Sequence, residues 1–238
     1  MRLDKLLAHT GFGTRKEVKE LIKKRLVTVD NIVITKNNVH VNPNEQIIEV
    51  DKKKVHYQKY IYIMLHKPPN YLSATVDHYD QTVLDLIPDE YKHYNLSPVG
   101  RLDKDTEGLL LLTNDGQLNH ALTAPKREIY KTYFAKIEGK VLEEHIERFR
   151  EGITLDDGYK TKKAFLEIVK SDSISEIKLS ICEGKFHQVK RMFRAINRKV
   201  LYLKRLSIGD LQLDEELPIG KCRKLTDDEL AYVLSMKK

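Results

Sequence analysis

At 238 residues, 41% of them hydrophobic and 32% charged, the chain has room for two ordinary domains and material for a sizeable core, which excludes a peptide hormone, a disulfide knot and wholesale disorder. Lys and Arg number 42 against 35 Asp and Glu, a formal net charge of +7 that favours a polyanionic partner, nucleic acid first. The two cysteines, Cys182 and Cys222, make no CxxC pair and no disulfide framework, which fits a reduced compartment and argues against structural zinc. Neither the opening MRLDKLLAHTGF nor a run such as Leu109 to Leu112 supplies a signal-peptide core or the about 20 apolar residues that span a bilayer. The expectation is a cytoplasmic protein, neither exported nor membrane-embedded.

Positive charge is concentrated at the front: residues 1 to 55 hold 12 Lys and Arg against 7 Asp and Glu. A short helix from Arg2 to about His9 would turn Leu3, Leu6 and Leu7 inward, and Gly11 and Gly13 supply the turn that follows. Thr14-Arg15-Lys16-Glu17 has the form of a capping box, so a second helix is expected from about residue 15. Val18, Leu21 and Ile22 fall on its buried face, and Arg15, Lys16, Lys19, Lys23 and Lys24 occupy the rest. Val27, Val29, Ile32 and Ile34 then alternate around Asp30-Asn31, a tight hairpin. This helix, helix, hairpin unit, with its RLDKLLA and TRKEVKELIKKRLVTVD, resembles the S4 RNA-binding domain. The resemblance implies a module over residues 1–56 that lays its basic face on structured RNA, with Arg2, Arg15, Lys16 and Lys19 on phosphates and Lys23 beside them.

Residues 51 to 60, DKKKVHYQKY, have no apolar period and read as a connector. Tyr60 to Leu65 reads as a buried strand, ended at Lys67-Pro68-Pro69-Asn70, where the prolines remove two backbone donors. Further on, Gly100-Arg101-Leu102-Asp103 leads through a glycine-punctuated turn into Leu109-Leu-Leu-Leu112, a strand apolar on both faces that ends at an Asn114-Asp115-Gly116 turn. Asp103 taken singly would be a turn cap or a salt-bridged carboxylate. Residues 182 to 205 hold eight Lys or Arg against the single acid Glu183, and an amphipathic helix there would bury Val189, Met192, Phe193 and Ile196.

The string GRLDxxTxGLLLLTNDG resembles the catalytic motif of the RNA pseudouridine synthases, in the branch that groups the RsuA and RluA types. Lys131-Thr132-Tyr133 is similar to that family's KxY strand, and Glu183-Gly-Lys-Phe-His187-Gln188-Val-Lys190-Arg191-Met-Phe193 to its third motif. The resemblance implies an α+β fold, with an S4 module in front of a synthase domain over residues 60–238, built on a mixed, mainly antiparallel sheet. It implies that Asp103 is the catalytic carboxylate, that Tyr133 stacks on the target base and that Lys190 pairs with the aspartate. It implies, too, that Arg101 enters the space left by a flipped nucleoside. His187, Gln188 and Arg191 are expected at the substrate, and Lys185 and Arg194 on the RNA backbone. The Lys at 190 and the following RMF point to the RsuA side.

The implied reaction breaks the N1 to C1′ bond of a uridine, rotates the uracil and rejoins it at C5, so no cofactor and no metal are expected. The carboxylate acts as nucleophile or as a base at C2′. The expected partner is ribosomal RNA, 16S or a small-subunit assembly intermediate, bound by a monomer. The same reaction on 23S rRNA and a non-catalytic RNA-binding assembly factor are the alternatives. A glycosidase reading fails because hydrolysis generally uses two carboxylates and a water.

Overall fold

The computed structural model describes residues 1–237, which form two compact units: Met1–Ile61 with Pro88–Leu96, and Tyr62–Ile87 with Ser97 onward. The first begins with α1 (Leu3–His9) and α2 (Arg15–Lys23). The capping box sets the start of α2: the Glu17 amide donates to Thr14 Oγ1 at 3.3 Å and the Thr14 amide to Glu17 Oε2 at 2.6 Å. Four strands follow, β1 (Val27–Val29), β2 (Ile32–Val33), β3 (Ile48–Val50) and β4 (Lys53–Lys54), in the order β2-β1-β3-β4. Leu3, Leu6, Leu7, Val18, Ile22 and the inward residues of β1 and β3 make one core. The β1–β2 hairpin turns at Asp30 (φ 51°) and Asn31 (φ 65°), the left-handed pair that a two-residue hairpin requires.

The reading of 51–60 as a connector is corrected at its front end. Asp51 (φ 49°) and Lys52 (φ 61°) make a second tight turn, and Lys53–Lys54 pairs back on β3. A turn of Asp and Lys without glycine carries little sequence signal, and two exposed lysines carry no apolar alternation. Pro88–Leu96, with the four-residue α3 (Asp89–Lys92), also groups with the first unit, a segment that the sequence reading leaves in the second.

In the second unit, nine of the strands among the described residues share a sheet. The strands that matter here are β5 (Tyr62–Lys67), β6 (Ser97–Pro98), β7 (Glu107–Thr113), β8 (Lys131–Glu138), β9 (Phe165–Lys170), β10 (Ile174–Ile181), β11 (Lys199–Ile208), the short β12 (Leu211–Gln212) and β13 (Cys222–Lys224). The main path runs β13-β5-β7-β11-β8-β10-β9, and every pairing is antiparallel except β7 with β11. All six residues of β5 and Gly108–Thr113 of β7 are buried; the apolar runs Tyr62–Leu65 and Leu109–Leu112 account for most of this, and His66, Lys67 and Thr113 are buried polar residues at the strand ends. At the parallel crossing, Gly108 (φ 110°) lies against Arg205, and a Cβ there would come 2.3 Å from the Arg205 carbonyl oxygen, so only glycine fits.

Helices pack on this sheet: α4 (Gly116–Thr123), α5 (Glu143–Glu151), α6 (Gln188–Arg194) and α7 (Asp227–Ser235). The Asn114-Asp115-Gly116 run, read as a turn, proves to be the N-terminus of α4. Buried Asp115 accepts from the Gln117 and Leu118 amides at 3.1 and 3.2 Å. No helix among the described residues is long and apolar enough to cross a membrane.

Candidate active site

The loop Gly100–Thr106 joins β6 to β7 and carries Asp103, and its shape is fixed from three sides. The Leu102 amide donates to Ser73 Oγ at 3.1 Å, whose hydroxyl lies 3.0 Å from the Leu102 carbonyl. The Thr106 amide donates to the Asp103 carbonyl and the Asn70 amide to the Lys104 carbonyl. From beneath, the Lys67 ammonium donates to the carbonyls of Pro68, Lys104 and Thr106 at 2.9, 3.2 and 2.8 Å. Lys67 is fully buried, and that burial pushes its ammonium down to about 8 against the pull of Asp105, Asp103 and Glu107. Sequence reasoning passed over Lys67 because a lysine before two prolines reads as a solvated strand end; the available signal was a lysine in register with a strand buried on both faces.

Above the loop, the Asp103 carboxylate meets α6. Lys190 Nζ is 3.1 Å from Asp103 Oδ2 and 2.6 Å from Asp105 Oδ1, so one ammonium bridges two carboxylates. Burial works against the Lys190 charge, but hydrogen bonds to Asp105 and Asp103 outweigh it and hold the group above the usual lysine range. His187 Nε2 lies 3.8 Å from the other oxygen, Asp103 Oδ1. Asp103 keeps 27% of its side chain exposed. It opens on a cleft whose walls include Arg101, Tyr133, Lys185 and His187, with Ile181 and Leu203 as apolar wall. Tyr133 sits on β8 between Leu179 of β10 and Arg205 of β11 and is nearly buried. A carboxylate with a fixed counterion and an aromatic surface facing one cleft can receive a flat, uncharged ring, and can attack carbon or take a proton beside that ring.

The structure therefore gathers Asp103, Lys190, Tyr133, Arg101 and His187. Gln188 also borders the cleft, but its amide is committed: Nε2 donates to Glu183 Oε1 at 2.8 Å and Oε1 accepts from the Lys185 amide at 2.8 Å. Glu183, the one acid of the basic stretch, is buried and also receives the Tyr159 hydroxyl and the Lys162 amide, a hub that the sequence did not reveal. Arg191 is not part of the cleft wall; its guanidinium is held by Asp156 and Asp157. Lys185 lies over the Tyr159 ring at 4.3 Å. Arg194 borders a separate concavity with Arg198 and Lys199. In the first unit Arg2 is paired with Asp4 at 3.1 and 2.8 Å, whereas Arg15, Lys16 and Lys19 are exposed on α2.

Comparison with known proteins gives the family. The RNA pseudouridylate synthase family model matches residues 61–195 and the S4 domain model residues 1–47. The chain is 47% identical over 231 residues to an RNA pseudouridine synthase of Bacillus subtilis strain 168, YtzG, with 97% of each chain covered. It is 41% identical to the ribosomal small subunit pseudouridine synthase A of Vibrio parahaemolyticus, covering 98% of this chain and 99% of the relative. It is 40% identical to the ribosomal large subunit pseudouridine synthase B of Bacillus subtilis strain 168, covering 96% and 93%. A crystal structure of a pseudouridylate synthase superposes with a TM-score of 0.69 at 34% identity over 98% of this chain and 99% of the other. With that family model over more than half of the chain and near-full-length relatives at 40% identity and above, the chain belongs to the RNA pseudouridine synthase family.

Proposed function

We propose that the protein converts one uridine of 16S ribosomal RNA to pseudouridine, by flipping the nucleoside into the cleft and exchanging its glycosidic bond at Asp103. The observation that carries the reading is the Asp103–Lys190 pair at 3.1 Å in a cleft shared with Tyr133. The ammonium fixes the direction of the carboxylate, as nucleophile or as base at C2′. Extruding a base from the stack costs a few kcal/mol, and stacking on Tyr133 at about 1 to 3 kcal/mol offsets most of it. Arg101, exposed at the cleft mouth, fills the vacated space. Residues 1–56 act as an S4 module that adds phosphate contacts through α2.

Relatives named for the small and for the large ribosomal subunit are almost equally similar to the chain, so their names do not choose between 16S and 23S. The choice of 16S rests on Gln117-Leu-Asn-His120 and Thr123-Ala-Pro125, runs that resemble the 16S branch. Carbodiimide mapping of both rRNAs from a deletion strain is the test. Loss of one 16S site supports the proposal, loss of a 23S site moves the same chemistry to the large subunit, and RNA binding without any lost site makes the protein a binding factor. In vitro, 16S transcript or its early assembly intermediate should gain that site with the wild type and not with Asp103→Asn.

A further inference from the structure

The cleft rim carries a feature that bond exchange at Asp103 leaves unexplained. Phe186, in the turn between β10 and α6, is 76% exposed and stands between Lys185 and His187, two residues that line the cleft. Its ring stacks on that of His187, with centroids 3.8 Å apart and planes 20° from parallel. His187 has φ 49°, a left-handed backbone for a residue with a side chain, which persists only where its surroundings fix it. They do so here: the Lys185 amide is held by Gln188, Gln188 by buried Glu183, and the Phe186 carbonyl accepts from Arg191 Nη1 at 3.5 Å. Arg191 is in turn tied to Asp156 and Asp157. The polar groups that a sequence reader would assign to the ligand are thus spent on aiming an aromatic pair.

The inner ring of that pair reaches the catalytic carboxylate, His187 Nε2 being 3.8 Å from Asp103 Oδ1, while most of the outer ring stands in water. A flat apolar surface of this size, beside Lys185 and Arg101, matches a nucleobase attached to its phosphate, since every base offers a π face whatever its sequence. We propose that the Phe186–His187 stack is a platform for an unpaired nucleobase next in sequence to the uridine held in the cleft. This rests on the rRNA reading above and extends it: the substrate site is a loop or bulge whose neighbouring base is free to leave its own stack, not a uridine within a continuous helix.

The test uses the full chain and short transcripts around the uridine that the wild type modifies, with 2-aminopurine placed on either side of it in turn. Binding to the wild type should quench one of the two positions, and Phe186→Ala should abolish the quench. Loss of one stacked base should raise KM about 5- to 150-fold with kcat within about threefold of wild type. Phe186→Trp should restore both the quench and the KM, because a larger ring still stacks. A KM for Phe186→Ala within about twofold of wild type overturns the platform, as does a Trp variant as impaired as the Ala variant, which would mark a merely structural ring. A wild type that modifies no rRNA uridine defeats the rRNA reading itself, whereas wild-type turnover with an unaffected Phe186→Ala defeats the platform alone.

Discussion

Two basic stretches, α2 and the segment from 183 to 205, look alike as sequence and are used in opposite ways. On α2, Lys16 and Lys19 stand in solvent with no salt bridge among the described residues. In the later segment the cations are largely committed: Lys190 to Asp103 and Asp105, Arg191 to Asp156 and Asp157, Arg198 to the Lys140 and Asn197 carbonyls, and buried Arg205 to the Leu109 carbonyl at 2.8 Å. Charge that is already paired cannot also release counterions from RNA, so the two stretches should fail differently when mutated. Loss of charge on α2 should weaken binding in a salt-dependent way, and loss of charge near α6 should damage chemistry or stability.

The sharpest break in that comparison lies at the pair itself. Asp103→Asn should lower kcat by at least about 1,000-fold while the protein stays folded, since one group supplies the chemical step. Lys190→Met should lower kcat about 10- to 100-fold with a small change in KM, measured by tritium release or carbodiimide mapping. If instead Lys190→Met raises KM and flattens the salt dependence as an α2 variant does, the contrast between the two stretches is gone.

Lys67 sharpens the contrast from below the loop, because its partners are carbonyls and not carboxylates. Lys67→Met should destabilise the protein by about 1 to 3 kcal/mol at pH 7, the cost of leaving buried carbonyls without donors. The difference should grow with pH. A lysine held near 8 when folded and near its ordinary value when unfolded releases its proton earlier in the native state, so from about pH 8 upward the unfolded chain binds more protons. Stability from this group therefore rises with pH in that window, and the variant lacks the gain. Lys190, held above the usual range, has the opposite sign: its contribution is complete below its unfolded value and fades as pH climbs through its folded one. Denaturant melts between pH 7 and 10 separate the two lysines: the deficit of Lys67→Met grows across that range, whereas that of Lys190→Met stays constant because its window lies above the ordinary lysine value.

What could be read from the sequence follows from the same distinction between local and distant partners. The α2 start, the Asp30-Asn31 hairpin, the strand through Leu109–Leu112 and the buried face of α6 were legible because their signals lie within a few residues: a capping box, a turn pair, apolar periodicity. The motif resemblance named Asp103, Tyr133 and Lys190; the fold brings Asp103 and Tyr133 to one cleft and sets Lys190 of α6 on the Asp103 carboxylate. The commitments of Arg191, Gln188 and Lys67 were not legible, since each depends on partners such as Asp156, Glu183 or the Thr106 carbonyl that only the fold delivers. Residue type gave the charge, and tertiary structure decided whether that charge was free.

Arg191 offers a smaller effect that discriminates more finely. As a brace for the 185–187 turn, Arg191→Gln should lower the melting temperature only slightly, because both aspartates are 57% exposed, and should leave the salt slope of RNA binding unchanged. A guanidinium that instead touched phosphate would lower that slope. On α2 the expectation is reversed. Lys16→Ala and Lys19→Ala should leave the melting temperature unaltered, because neither side chain is packed or paired. Each should reduce the slope of log K against log salt by about 0.7 to 0.9, the share of one phosphate contact, with kcat at saturating RNA equal to wild type. If the slope stays the same in the double variant while the α6-side substitutions lower it, RNA is held by the catalytic unit alone and α2 is no more than a solvated face.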